Sequence, residues 1–303
     1  MIISIKDIKS KRIIISGANG FTGRFLCSYL ISEGINFSVI LRPGTNDNWM
    51  NSNNISIFYF DLYKINENLN ILQNFDCFIN VASLGFGLAD PIVRACEKAS
   101  LTRVIFISST SIFTSLNAKS KRIRKEAESL IINSSLDWTI IRPTMIYGSP
   151  RDRNMIRLIK WINNCPILPV FGTGMALQQP INVNDLVSFI FKTIDKKEAF
   201  KNEFNLSGKE PLTFNQIIYE ISKVLKKRPF KIYLPYKIFS HLLSLLEILR
   251  IKFPLKSEQL KRLNEDKDFP HLKAKNLIGY DPISFSEGIK REIFIYKNNS
   301  QEH

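Results

Sequence analysis

Three glycines at a spacing of three, Gly17, Gly20 and Gly23, are the residues here whose types and spacing most plainly do chemistry. They lie in Gly17-Ala18-Asn19-Gly20-Phe21-Thr22-Gly23, directly after a β-branched run and before a helical stretch. In that setting the first glycine permits a tight turn, the second lets backbone approach a pyrophosphate, and the third lets helix and strand pack closely. The N–H groups that open the helix, those of Phe21 and Thr22 among them, then face the phosphates with the positive end of the helix dipole behind them. A dinucleotide is the expected ligand. The second strand of such a unit ends in an acid where a carboxylate receives the ribose 2′-OH; here it ends Val39-Ile40-Leu41-Arg42. A guanidinium suits a 2′-phosphate, so NADP(H) is expected in preference to NAD(H); stacking of Arg42 on the adenine, or solvent exposure, is the alternative. Asp61-Leu62, after the third strand, sets a carboxylate either near the adenine amino group or on a turn.

Further along, Pro150-Arg151-Asp152-Arg153-Asn154 pairs two arginines with residues that start helices. Arg151 and Arg153 can clamp a diphosphate, as in a nucleotide sugar, or can be ordinary surface cations at an exposed helix start. Gln179, in a loop that leads into a strand, is a candidate substrate contact. The histidines (His241, His271, His303) and cysteines (Cys27, Cys77, Cys96, Cys165) are scattered, so no metal site is expected. Scattered cysteines read as free thiols in a reducing compartment.

The elements that must hold these residues alternate. Strands are expected at 11–16, 37–41, 55–60, 75–82, 103–108 and 138–142. Helices are expected at 22–33, 90–100 and 119–133, with Gly34 as a stop and Pro91 in a first turn. Alternation of this kind gives an α/β, Rossmann-like doubly wound parallel sheet. After Pro143 the pattern changes: helices at 151–163, 213–227 and 236–250 and a strand-then-helix unit at 181–194 describe a smaller C-terminal mixed α/β lobe. The expected division is a core at 1–150, with 180–196 packing back onto it, and a substrate lobe at 151–303.

The chain has 303 residues and a formal charge of +15. Its lysines are dispersed apart from Lys119–Lys125, so the charge reads first as compositional bias, and no specific nucleic-acid partner is expected. No apolar run is long enough to span a membrane, and the N-terminus puts charges where a secretory signal needs its apolar stretch, which gives a cytoplasmic expectation. Residues 236–254 are apolar with basic flanks; buried core, a homodimer face and peripheral contact with a membrane or a lipid-linked substrate are the readings open to them.

The segments Gly17–Gly23, Asp61-Leu62, Val81-Ala82-Ser83, Phe106–Thr110, Arg142-Pro143-Thr144-Met145-Ile146-Tyr147-Gly148 and Gln179–Leu186 together resemble the NAD-dependent epimerase/dehydratase family, the extended or atypical short-chain dehydrogenase/reductases. The resemblance covers about residues 11–195. It implies NAD(P) lined by Val81, Ala82, Ser83 and Pro143, hydride transfer at a sugar or alcohol carbon, and a catalytic Ser/Thr at Ser109. It also implies a Tyr-x-x-x-Lys pair on the next helix. Aligning on Ala127-Glu128 puts Ser120 at the Tyr position and Arg124 at the Lys position, and no tyrosine stands between Tyr63 and Tyr147. A serine hydroxyl is far less acidic than a phenol, and arginine supplies charge to a ribose without titrating. Three readings follow: another proton carrier, with Tyr147 the nearest; hydride delivery with a solvent proton; or cofactor binding without catalysis, as a regulator or assembly subunit. The substrate class implied is a small molecule, a nucleotide- or lipid-linked sugar.

Overall fold

The computed structural model describes residues 8–248 and 257–299. Seven parallel strands form one sheet. β1 (Ile13–Ser16), β2 (Phe37–Leu41), β3 (Ser56–Tyr59), β4 (Cys77–Asn80), β5 (Arg103–Ile107) and β6 (Asp137–Pro143) match the expected runs to within a few residues. Across the sheet they follow the order β6-β5-β4-β1-β2-β3, and a seventh strand, Asn202–Leu206, flanks β6. That strand carries only two apolar side chains among three polar ones, so no run announces it; its register is fixed by parallel pairing to Thr139–Pro143.

Strand periodicity explains the layers. Ile13 and Ile15 of β1 and Ile105 and Ile107 of β5 enter one core, whereas Ile14, Val104 and Phe106 enter the other. The first core is closed by the helix Phe21–Ser32 and by Val183–Thr193, whose Val183, Leu186, Val187 and Ile190 pack with Ile13 and Ile15. Helices Ala89–Lys98 and Lys119–Ile132 close the second. A buried guanidinium locks Val183–Thr193 to the sheet: Arg103 donates to Ile194 O (2.9 Å) and Asp137 O (2.6 Å), and also to Thr193 O. Phe200 stacks on it at 4.3 Å. Burial lowers the Arg103 pKa to about 10, and its donors satisfy carbonyls at the end of that helix.

A third core belongs to the C-terminal half, where Met155, Ile156, Ile159, Leu168, Ile217, Ile221, Phe285 and Ile289 meet. Its first helix runs Met155–Asn164 rather than 151–163. Asp152 sets the start: its Oδ1 accepts from Asn154 N (2.8 Å) and Ile156 N (3.2 Å), which holds residues 149–154 as a turn. The expected strand at Ile181 is only Ile181–Asn182, because the Asn182 side chain accepts from Asn184 N at 2.9 Å and begins the helix at once. The helix expected at 236–250 runs Tyr236–Ile248; residues 249–254 of the apolar stretch lie outside the described residues. Among the described residues no helix is long and apolar enough to cross a membrane, and no group of His, Cys, Asp and Glu side chains is arranged to hold a metal ion.

Candidate functional site

The C-terminal ends of β1, β4, β5 and β6 converge on one cleft, where ligands of open parallel sheets bind. At the glycine loop the three glycines play separate parts. A Cβ on Gly17, whose φ is +73°, would lie 2.5 Å from Ala82 N, and one on Gly23 would lie 2.2 Å from Gly17 O. Those two positions are small because the protein itself fills the space. Gly20 is different: it is exposed, its φ is −70°, and a Cβ there would approach only Gly17 O, at 3.2 Å. Room is left on the solvent side, where a ligand's phosphates would lie. No side chain caps the helix Phe21–Ser32 that starts there, so the first-turn N–H groups of Phe21, Thr22 and their neighbours have no side-chain acceptor.

Asn19 ties this loop to the next one, its Nδ2 donating to Asn46 O at 2.6 Å. Its Oδ1 is buried with no donor on it. That orphaned acceptor, the open face of Gly20 and the uncapped helix fit a dinucleotide, whose ribose hydroxyls donate and whose phosphates accept. Arg42 stands exposed at the end of β2. The loop after β4 closes against the glycine turn: Val81 N donates to Ser16 O (3.0 Å), and Ala82 crowds Gly17.

Ser120 and Arg124 lie one helical turn apart, with Arg124 against the loop after β4. Arg124 Nη2 lies 3.4 Å from Ser83 Oγ, its Nη1 donates to Ser120 O at 3.3 Å, and a Cβ on Gly85 would meet the guanidinium at 3.1 Å. Burial, then Arg262, lowers its pKa. The helix that carries Ser120 and Arg124 is fixed from below by Glu128, which is buried. Glu128 accepts from Ser108 Oγ (2.5 Å) and from Arg142 Nη2 (2.7 Å) and Nε (3.0 Å). Ser109, at the end of β5, accepts from Ser111 N at 3.2 Å and so caps the turn Thr110–Phe113. Pro143 O receives Thr110 Oγ1 at 3.3 Å.

Two expected site residues, Tyr147 and Gln179, are placed otherwise, and Asp61 takes the turn position that was its alternative. Tyr147 is 1% exposed, its ring packed on Phe285 at 5.2 Å and its hydroxyl against Gly288. Burial raises its pKa, so it belongs to the lobe core and is not available as a proton carrier. Gln179 is buried and spent on backbone, donating to Gly208 O (2.8 Å) and accepting from Phe269 N (3.0 Å). Asp61 caps a turn, accepting from Tyr63 N at 3.0 Å, with Leu62 buried behind it. Arg151 and Arg153 sit exposed on the turn 149–154.

Two features escaped the sequence reading. Residues 265–269 bridge the segment after β5 and the segment at Leu177: Glu265 accepts from Thr114 Oγ1 (2.6 Å) and Ser115 N (2.9 Å), Lys267 N donates to Leu177 O (2.7 Å), and Phe269 packs on Phe113 at 5.4 Å. Burial lowers the Lys267 pKa to about 8. These contacts join residues about 90–150 positions apart, which leaves no local signal. The other feature is Arg24, whose guanidinium lies 4.7 Å over the Trp49 ring; its place four residues after Gly20 was there to be read.

Residues 17–160 match the NAD(P)H-binding family. The chloroplast stem-loop binding protein of 41 kDa b from Arabidopsis thaliana is 25% identical over 243 residues, 70% of this chain and 63% of that protein. UDP-glucose 4-epimerase from Vibrio cholerae is 25% identical over 181 residues, 58% of this chain and 52% of the enzyme. The chain thus spans between half and two thirds of the length of these relatives. An epimerase from Methanothermobacter thermautotrophicus shares the fold, with a TM-score of 0.77 at 15% identity over 98% of this chain and 95% of the other.

Proposed function

We propose that this chain, whose residues 17–160 match the NAD(P)H-binding family, is an atypical short-chain dehydrogenase/reductase, an NADP(H)-preferring oxidoreductase or epimerase of a nucleotide sugar or related glycan precursor. The observation that carries the reading is Arg124, one helical turn from Ser120, set against Ser83 in the loop after β4 that also crowds the glycine turn left open at Gly20. NAD(P)(H), when bound, supplies or takes the hydride. Arg124 supplies fixed positive charge for the ribose end of the ligand, and Ser109 offers a hydroxyl to a substrate oxygen. With serine at position 120 the position aligned with the family's tyrosine offers no phenol, and on this reading the proton comes from solvent or from a group on the substrate. Arg153 and Arg151 on the turn 149–154 provide cations for a diphosphate.

A second reading, an NAD(P)-binding regulator or assembly subunit without turnover, is favoured by the same substitutions and by the burial of Tyr147. Calorimetric titration with NADPH and NADH, followed by incubation of the loaded protein with UDP-glucose and UDP-glucuronate, separates the two. Conversion of either sugar supports the enzyme. Tight cofactor binding with neither sugar changed supports the regulator, and no binding of either nucleotide ends both.

The preference for the 2′-phosphate rests on Arg42 alone. Arg42→Ala is expected to weaken NADPH by about tenfold or more, the value of a charge-assisted phosphate contact, and to leave NADH nearly unchanged. Equal losses in the same calorimeter remove the reason for naming NADP(H).

A further inference from the structure

The C-terminal half presents an apolar face that the proposed reaction does not use. Strands Ile167–Phe171 and Phe230–Leu234 pair in parallel, with Ile167 opposite Phe230, Pro169 opposite Ile232 and Phe171 opposite Leu234. Leu168 and Val170 turn into the third core and are buried, so the residues of those pairs share the outward face. Phe239, from the helix Tyr236–Ile248, covers one end of that face by packing on Phe171 at 5.7 Å. The other end is bare: Phe230 is 71% exposed, and Ile167, Ile232 and Trp161 are exposed with it. Polar groups at this end are already satisfied. Trp161, on the last turn of Met155–Asn164, donates its indole N–H to Ile167 O at 2.8 Å, and Phe230 N donates to Pro166 O at 2.7 Å. Moving this end into an apolar medium therefore leaves neither donor unpaired.

Around the bare end the charge has one sign. Lys160 adjoins Trp161, and Lys226-Lys227-Arg228 leads into Phe230. All of these cations are exposed, and among the described residues none of them makes an ion pair. From position 153 to 184 and from 221 to 246 the sequence has nine Lys and Arg and no Asp or Glu, so two stretches supply nine of the net +15. They are far apart in the chain, and the pairing of the two strands brings them together. A second copy docked on this face would set the cationic rim against itself. Aliphatic Ile167 and Ile232 offer no ring on which a base could stack. An anionic bilayer matches both parts: headgroups receive the cations, and the acyl boundary receives the apolar end with the Trp161 ring at the interface.

We propose that this end of the two-stranded sheet, formed by Trp161, Ile167, Phe230 and Ile232 and rimmed by Lys160 and Lys226–Arg228, docks the protein on an anionic membrane surface. The contact is peripheral and does not depend on the cofactor reading.

The test is co-sedimentation with vesicles of phosphatidylcholine alone and of phosphatidylcholine mixed equally with phosphatidylglycerol. It compares the parent, Phe230→Ser, and a triple variant carrying Lys226→Gln, Lys227→Gln and Arg228→Gln. Polyuridylate binding and sedimentation velocity are measured on the same proteins. The parent is expected to bind the mixed vesicles and to leave phosphatidylcholine alone. Phe230→Ser is expected to weaken that binding by about tenfold or more, the value of burying one such ring. The triple variant is expected to lose about fivefold for each cation removed. Both variants should melt with the parent, because the altered side chains are exposed. Mixed vesicles are also expected to shift tryptophan emission to the blue in the parent and not in Trp161→Phe. Failure of the parent to bind mixed vesicles overturns the proposal; polyuridylate binding lost in the triple variant would then make the surface a nucleic-acid site, and a dimer lost in Phe230→Ser would make it a homodimer face. Vesicle binding unchanged in both variants overturns it as well, because the lipid contact then lies elsewhere on the protein.

Discussion

Gly20→Val is expected to fold like the parent and to lose NADPH and NADH together, by about a hundredfold or more, some 3 kcal/mol at 1.4 kcal/mol per decade. The separation of folding from binding follows from the local geometry. Position 20 has an ordinary φ of −70°, and a Cβ there meets protein only at Gly17 O, 3.2 Å away. A valine therefore needs a small adjustment and the modest cost of a poorer helix cap, while its methyls fill the space a pyrophosphate requires. Gly23→Ala is the control with the opposite signature. Its Cβ would lie 2.2 Å from Gly17 O and 2.7 Å from Ala18 Cα, backbone atoms that cannot yield cheaply; overpacking of this kind costs about 1–3 kcal/mol, and the melting temperature should drop before any question of ligand arises. Circular dichroism melts with calorimetry on both variants check the pair. A folded Gly20→Val chain that binds as the parent does would mean the phosphates lie elsewhere.

The contrast between Gly20 and its neighbours also shows what the sequence could and could not convey. The three glycines, the strand runs and the helix stops are local signals, each written within a few residues, and the elements they specify are present to within a residue or two. Arg124 lies beside Ser83, on a helix that a buried Glu128 held by Arg142 fixes, a contact that no local signal announces. What was misread depends on partners distant in the chain. Tyr147 looks like a cleft residue from its neighbours in sequence, yet Phe285 and Gly288, contributed by the last helix, take it into the core. Gln179 looks free until Gly208 and Phe269 arrive to use both ends of its amide. The strand Asn202–Leu206 exists because β6 offers an unpaired edge, not because its own residues demand extension.

Glu292 was invisible for the same reason, and it carries the second large effect. It sits on the last helix, 0% exposed, with Oε2 accepting from Gly148 N at 2.9 Å. Facing it from the turn 149–154 is Asp152, also buried; Oδ2 of Asp152 and Oε1 of Glu292 have no donor on them. A proton held between the two carboxyls satisfies both. Burial and Asp152 raise the Glu292 pKa from the ordinary 4.5 to about 9. The other titratable groups nearby do not offset this: Tyr147 stays neutral in its core position, Asp185 is a further acid, and Arg291, next along the helix, is exposed and paired with Glu287.

The direction of the pH dependence follows. The folded protein holds a proton that the unfolded chain releases above about pH 4.5, so the contribution of Glu292 to stability is fully present below that point, falls as pH rises through the window up to about 9, and levels off beyond it. Once Glu292 ionises, two buried carboxylates repel at the turn that carries Arg151 and Arg153. Glu292→Gln should remove the dependence, because its amide oxygen accepts from Gly148 N while its NH₂ donates permanently to Asp152 Oδ2. Thermal melts across the range are expected to show parent and variant together near pH 5, and the variant several degrees higher near pH 9. Parallel curves would mean that the two carboxyls are not joined by a proton and that the turn is anchored by the capping bonds of Asp152 alone.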